Sequence, residues 1–198
     1  SALLVGGASN AQTLSLIDLP RGPLGQHTRV LIEPGAAMGI EAALAAPTQS
    51  QFQAGGPAVL NLGIGARPAW VHLAVHNPQT QALVMRLAVG TTWLDHLDVY
   101  LVQQQRVLTS WKTGDEVAGT PGLQAGIGFE FDMQFPPGRS DIYLRAEAQD
   151  PLVLPIALRT PAQADQERMW VHYSYGLLYG FLIALIAYNG MLFVGLKD

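Results

Sequence analysis

His72 and His76 have the i, i+4 spacing that chelates zinc on a helix. They lie in WVHLAVH, however, whose alternation reads as a strand, where four residues span about 13 Å. Two ligands of one ion cannot stand that far apart. Asp95-His96-Leu97-Asp98 is the other metal-like cluster. His96 and Asp98 share a strand face there, but no third ligand is evident, and the stretch reads as a solvated strand entry. No metal or cofactor is therefore expected. No GxSxG elbow, phosphate loop or HExxH motif occurs, and Gly63-Ile64-Gly65 lacks the third glycine and following helix of a dinucleotide site. With no cysteine there is no thiolate nucleophile and no disulfide framework.

Other residue types point to ligand binding. Trp70, Trp93 and Trp111 have flat faces that match the apolar C–H face of a sugar ring. Trp70 heads an alternating strand and reads as core, which leaves Trp93 and Trp111, at loop–strand junctions, as platform candidates. Lys112-Thr113-Gly114-Asp115-Glu116 is a polar turn that presents either a hydrogen-bonding rim or an ordinary hairpin. Arg145 stands in the otherwise uncharged run Ile142–Ala146, where it points to solvent or pairs with an internal carboxylate such as Asp115. The candidate ligand-facing residues are thus Trp93, His96, Trp111, Lys112, Asp115 and Arg145. Glu130 and Asp132 share one strand face, as a hydrolase's paired carboxylates would, but like-facing neighbours usually mark the wet side of a strand.

These residues need a β-framework to hold them. Short runs recur about every ten residues: Thr13–Leu19, Arg29–Glu33, Ala58–Gly63, Ala69–His76, Ala82–Val89, Leu97–Gln103, Val107–Trp111, Phe129–Phe135, Asp141–Ala148 and Leu152–Arg159. Breakers such as Asn77-Pro78, Pro136-Pro137-Gly138 and Asp150-Pro151 separate them. Phe129, Phe131, Met133 and Phe135 alternate with Glu130, Asp132 and Gln134, and Ile142 and Leu144 with Tyr143 and Arg145. Period two with one wet face predicts an antiparallel sandwich or jelly roll, with one short helix over Gly39–Ala46.

Both ends differ from this middle. Tyr173–Leu196 is 24 residues without a charge, a helix about 36 Å long that is able to cross a bilayer. Trp170, Tyr173, Tyr175 and Tyr179 crowd its start as interfacial aromatics do. Gly176 and Gly180 offer a close-packing face, and Asn189 is expected to seek an interhelical hydrogen bond. Ala2–Gly7 with Ser9-Asn10-Ala11 reads as the tail of a secretory signal. The expected organisation is a signal remnant over 1–11, a β-domain over 12–160, a linker over 161–169 and a transmembrane helix over 170–196. Composition agrees: 13% of residues are charged and 49% hydrophobic in 198 residues. A net charge of −4 with no basic cluster excludes nucleic acid as a partner.

The order of these features resembles the bacterial seven-transmembrane receptors with diverse intracellular signalling modules, in the subgroup with the type-2 extracellular domain. The matching stretches are Val30–Glu33, Leu60–Gly65, Trp70-Val71-His72-Leu73 with Asn77, Leu97–Leu101, Thr113-Gly114-Asp115, Ile142–Arg145 and Tyr175–Gly180 through Asn189. The resemblance implies a periplasmic β-sandwich similar to carbohydrate-binding modules, held at the bacterial inner membrane. It also implies a non-enzymatic input domain that reports to a kinase or cyclic-di-GMP output. The family's turn continues from TGD into a Pro-Phe…Arg-Pro stretch that is absent after Asp115. Expected partners are the membrane, a glycan or other small periplasmic ligand, and a homodimer or receptor partner. The alternative is a membrane-tethered module that recognises a protein or dimerises, without a small-molecule site.

Overall fold

The structure, a computed structural model, describes residues 13–90, 94–114, 123–124 and 128–195. The expected signal remnant, Trp93 and Asp115 lie outside the described residues. In chain order the elements are β1 (Leu14–Ser15), β2 (Arg29–Ile32), α1 (Ile40–Leu44), α2 (Ala46–Gln49), β3 (Gln53–Ala54), β4 (Leu60–Asn61), β5 (Ala69–Asn77) and β6 (Leu83–Val89). They continue with β7 (His96–Gln103), β8 (Arg106–Thr113), β9 (Leu123–Gln124), β10 (Phe129–Phe135), β11 (Gly138–Glu147), β12 (Val153–Leu154), β13 (Ile156–Arg159) and α3 (Pro161–Gly195).

The large sheet runs β3-β2-β5-β11-β7-β8, with β1 also pairing β5. The small sheet runs β13-β6-β10-β9, and β4 pairs β12 apart from both. The ladders are antiparallel except β1 on β5, which is parallel. The inner faces of the two sheets meet in one core. Val71, Leu73, Ile142, Leu144, Val99 and Leu101 of the large sheet pack with Met85, Leu87, Phe131, Met133 and Phe135 of the small one. Strand β10 alternates buried and solvated residues as its sequence predicts. The mainly β, antiparallel expectation therefore holds.

The large sheet departs from a single wet face. Strands β5 and β11 are buried on both sides, because α1, α2 and the chain around them cover part of the outer face. There Leu31, Ile40, Ala43, Phe52, Trp70, Tyr100, Val102 and Tyr143 form a second core. The expected helix over Gly39–Ala46 is two short helices, split where Ala45 turns extended with φ −63° and ψ 137°. The expected strand Leu152–Arg159 is likewise two. Pro155, which has no N–H to give a ladder, separates β12 on β4 from β13 on β6.

The chain divides into two compact units at Arg159–Thr160. In the second, α3 already begins at Pro161, so the segment expected as a linker is helical. Its start is a capping box: Gln163 N–H donates to Thr160 Oγ1 at 3.2 Å and Thr160 N–H to Gln163 Oε1 at 3.1 Å. Pro161 at the first helical position loses nothing by lacking an N–H. The helix is apolar and long enough to cross a membrane. Asn189 Nδ2 donates to Leu185 O of its own helix at 2.8 Å, and a Cβ at Gly176 or Gly180 would meet open space.

Candidate functional site

On the outer face of the large sheet, cross-strand register gathers residues that are scattered in the sequence. Arg145 on β11 lies opposite Trp70 on β5 and Asp98 on β7, and Asp98 lies opposite Lys112 on β8. One step toward the sheet end, Glu147 lies opposite His96. Three sequence candidates, His96, Lys112 and Arg145, therefore share one face and one end of the sheet. Trp111 does not. Its neighbours on β8 face outward, whereas its own ring tilts against Phe131 at 5.7 Å, on the core side.

Glu33, just after β2, organises this end. Its carboxylate accepts Arg145 Nε at 2.7 Å and Nη2 at 3.1 Å, with Trp70 Nε1 at 2.9 Å and Met38 N–H at 3.4 Å. Burial alone would raise the Glu33 pKa. The Arg145 hydrogen bonds and charge, with the Trp70 indole, overcome this and hold it below its ordinary value. Arg145 is raised in turn, chiefly by its bonds to Glu33. The internal carboxylate that pairs with Arg145 is thus Glu33, where the sequence offered Asp115 as an example. A third guanidinium N–H, on Nη1, reaches Glu147 Oε2 at 3.1 Å and holds that carboxylate at the rim. Further along the face, Tyr100 OH donates to Asp98 Oδ2 at 3.2 Å, and burial, then Asp98, pushes the phenol up to about 12.

Beside this network a pocket of about 280 Å³ opens, lined among others by Gly65, Pro68, Asp95, His96, Glu147 and Gln149. Asp95 is fixed by accepting Gln149 N–H at 2.9 Å. Gly114 lets the end of β8 pass close, since a Cβ there would stand 1.9 Å from the Asp95 carbonyl oxygen. Among the described residues, no group of three or more His, Asp or Glu could hold a metal ion.

The covered part of the same face holds His72, whose Nε2 meets Asp141 Oδ1 at 2.9 Å and whose ring stacks on Tyr143 at 4.6 Å. His76, by contrast, is exposed, and the two histidines lie on β5, a strand as their alternation predicts. Arg29 donates to the carbonyls of Gln49 and Phe52 at 2.9 and 2.8 Å and ties down the covering segment. On the other sheet, Asp132 is engaged by Arg86 Nε at 2.7 Å, with Arg86 Nη1 4.0 Å from Glu130, so this pair of carboxylates is held around an arginine.

Residues 25–160 match the family model for the 7TMR-DISM extracellular 2 domain. The chain belongs to that family. Comparison with curated proteins gives no match. As a 7TMR-DISM extracellular 2 domain with a candidate membrane helix behind it, the chain is a sensing domain outside the membrane, anchored to it, and of a family that is not catalytic. Glu33 and Glu147 are the residues that sequence reasoning missed. The one available signal was an acid ending the apolar run Val30–Ile32.

Proposed function

We propose that this chain is the periplasmic input portion of a receptor in the bacterial inner membrane. Its β-domain binds a small carbohydrate-like molecule in the rim pocket, and α3 relays the change to a cytoplasmic kinase or cyclic-di-GMP output. The observation that carries this reading is the rim pocket itself, where Glu147 is held by Arg145 beside His96 and Asp95. A fixed hydrogen-bonding carboxylate orients a ligand at little entropic cost. Ligand binding shifts the receptor only by its differential affinity for two states.

A thermal melt of the full chain in detergent, against glycans and cell-wall fragments, tests it. A ligand at 100 times its Kd stabilises by ~2.7 kcal/mol, a shift of roughly 5–10 °C. That shift is lost in Glu147→Gln. No shift across the panel overturns the reading.

One observation favours a second reading, a tether that docks a protein or another copy. Among the described residues strand β8 pairs β7 alone at the end of the large sheet, and Val107 and Leu108 on it are exposed. Oligomerisation that is independent of any ligand and lost on Leu108→Lys supports it.

A further inference from the structure

We infer that the rim pocket selects a small molecule bearing a primary ammonium group. This inference rests on the reading of the pocket as a ligand site and adds the charge of the ligand. Among the described lining residues the fully charged side chains are Asp95 and Glu147, both carboxylates. Each has one oxygen engaged, Asp95 Oδ2 by Gln149 N–H and Glu147 Oε2 by Arg145, which leaves the second oxygen of each to accept. Arg145 spends Nε and Nη2 on Glu33 and Nη1 on Glu147, and its side chain is only 14% exposed.

An entering phosphate or carboxylate would meet two like charges and, among the described lining residues, no lysine or arginine. An ammonium group, with three donors and a positive charge, matches the two open acceptors. A volume near 280 Å³ sits at the small end of ligand sites and suits a molecule of monosaccharide size. Two sources carry this chemistry, an amino sugar and an alkyl polyamine.

Calorimetric titration of the full chain in detergent with glucosamine, N-acetylglucosamine, glucose, putrescine and inorganic phosphate tests the inference. Glucosamine is expected to bind about tenfold or more tighter than its acetylated form and glucose, with no binding of phosphate. Glu147→Gln and Asp95→Asn each weaken the amine by a similar factor while the unfolding temperature holds. Putrescine matching glucosamine identifies the polyamine as the source, and weaker putrescine identifies the amino sugar. If glucose and N-acetylglucosamine bind as tightly as glucosamine and Glu147→Gln weakens all three, the charge preference is overturned and the pocket remains a ligand site. If none of the compounds binds, or binding ignores both substitutions, the inference and the pocket reading fall together.

Discussion

Arg145 and Glu33, 112 residues apart in sequence, meet through two hydrogen bonds of 2.7 and 3.1 Å, with the Glu33 side chain only 3% exposed. The pair is a structural clamp. It ties the end of β2 to β11 and leaves the third guanidinium N–H to set Glu147. Arg145→Met strands a buried carboxylate and is expected to lower unfolding stability by about 3–5 kcal/mol, whereas Arg145→Met with Glu33→Leu recovers much of that loss. Denaturant titration of the single and double variants measures the difference. Equal losses in both would show that Glu33 is not buried as a charge.

Trp111→Ala separates core from ligand platform. The half-buried ring rests on Phe131, and its removal is expected to destabilise the domain by about 2–4 kcal/mol. Ligand affinity of the folded fraction should stay within about twofold. A large affinity loss without a stability loss would return Trp111 to the binding surface.

Acid should weaken the domain in a defined window. Burial raises the Asp141 pKa, but the hydrogen bond and charge of His72, with Arg139, outweigh it, and the net shift is downward. A carboxyl depressed in the folded state contributes stability above its unfolded value of about 3.9, and that contribution is lost as pH falls through the folded value. Melting temperature measured from pH 6 to pH 2.5 should fall on this limb, and Asp141→Asn should flatten it. An unchanged acid limb in the variant would remove Asp141 as its source.

Gly114→Ala is expected to destabilise by roughly 1–3 kcal/mol, because the new methyl overlaps the Asp95 carbonyl and must push the pocket wall aside. Chemical denaturation gives the stability term and titration the pocket term. Wild-type values for both would mean that β8 does not pass so close.

Thr160→Ala removes one half of the capping box and should loosen the first turn of α3 by about 1 kcal/mol. Hydrogen exchange at residues 162–164 reads the loss directly. Protection there equal to wild type would assign the turn's stability elsewhere.

Alternation made β10 legible, and the breakers located most other strands, because one buried face writes its period into a strand. The outer face of the large sheet was less legible. Strand β5 alternates by type, yet its outward Trp70 and His72 are buried too, since α1 packs in the core that holds Trp70 and Phe52 packs on His72. Arg145 stood out as a charge among apolar residues, but its partner follows a strand made much earlier in the chain. A single sequence carries no record of which distant strands become neighbours, so Glu33 and Glu147 could not be read as parts of one network. Trp111 misled because a tryptophan at a loop–strand junction looks the same on either face.

The order of strands also bears on how the protein is made. The central pair of the large sheet joins β5 to β11, and the small sheet is incomplete until β13 has paired with β6. Thr160 alone separates β13 from the apolar helix. The sandwich therefore closes only after nearly all of its length has left the ribosome and crossed the bilayer, when the membrane segment is next in line. Until then β6 lacks its outer neighbour, and an unfinished sheet edge of this kind favours aggregation.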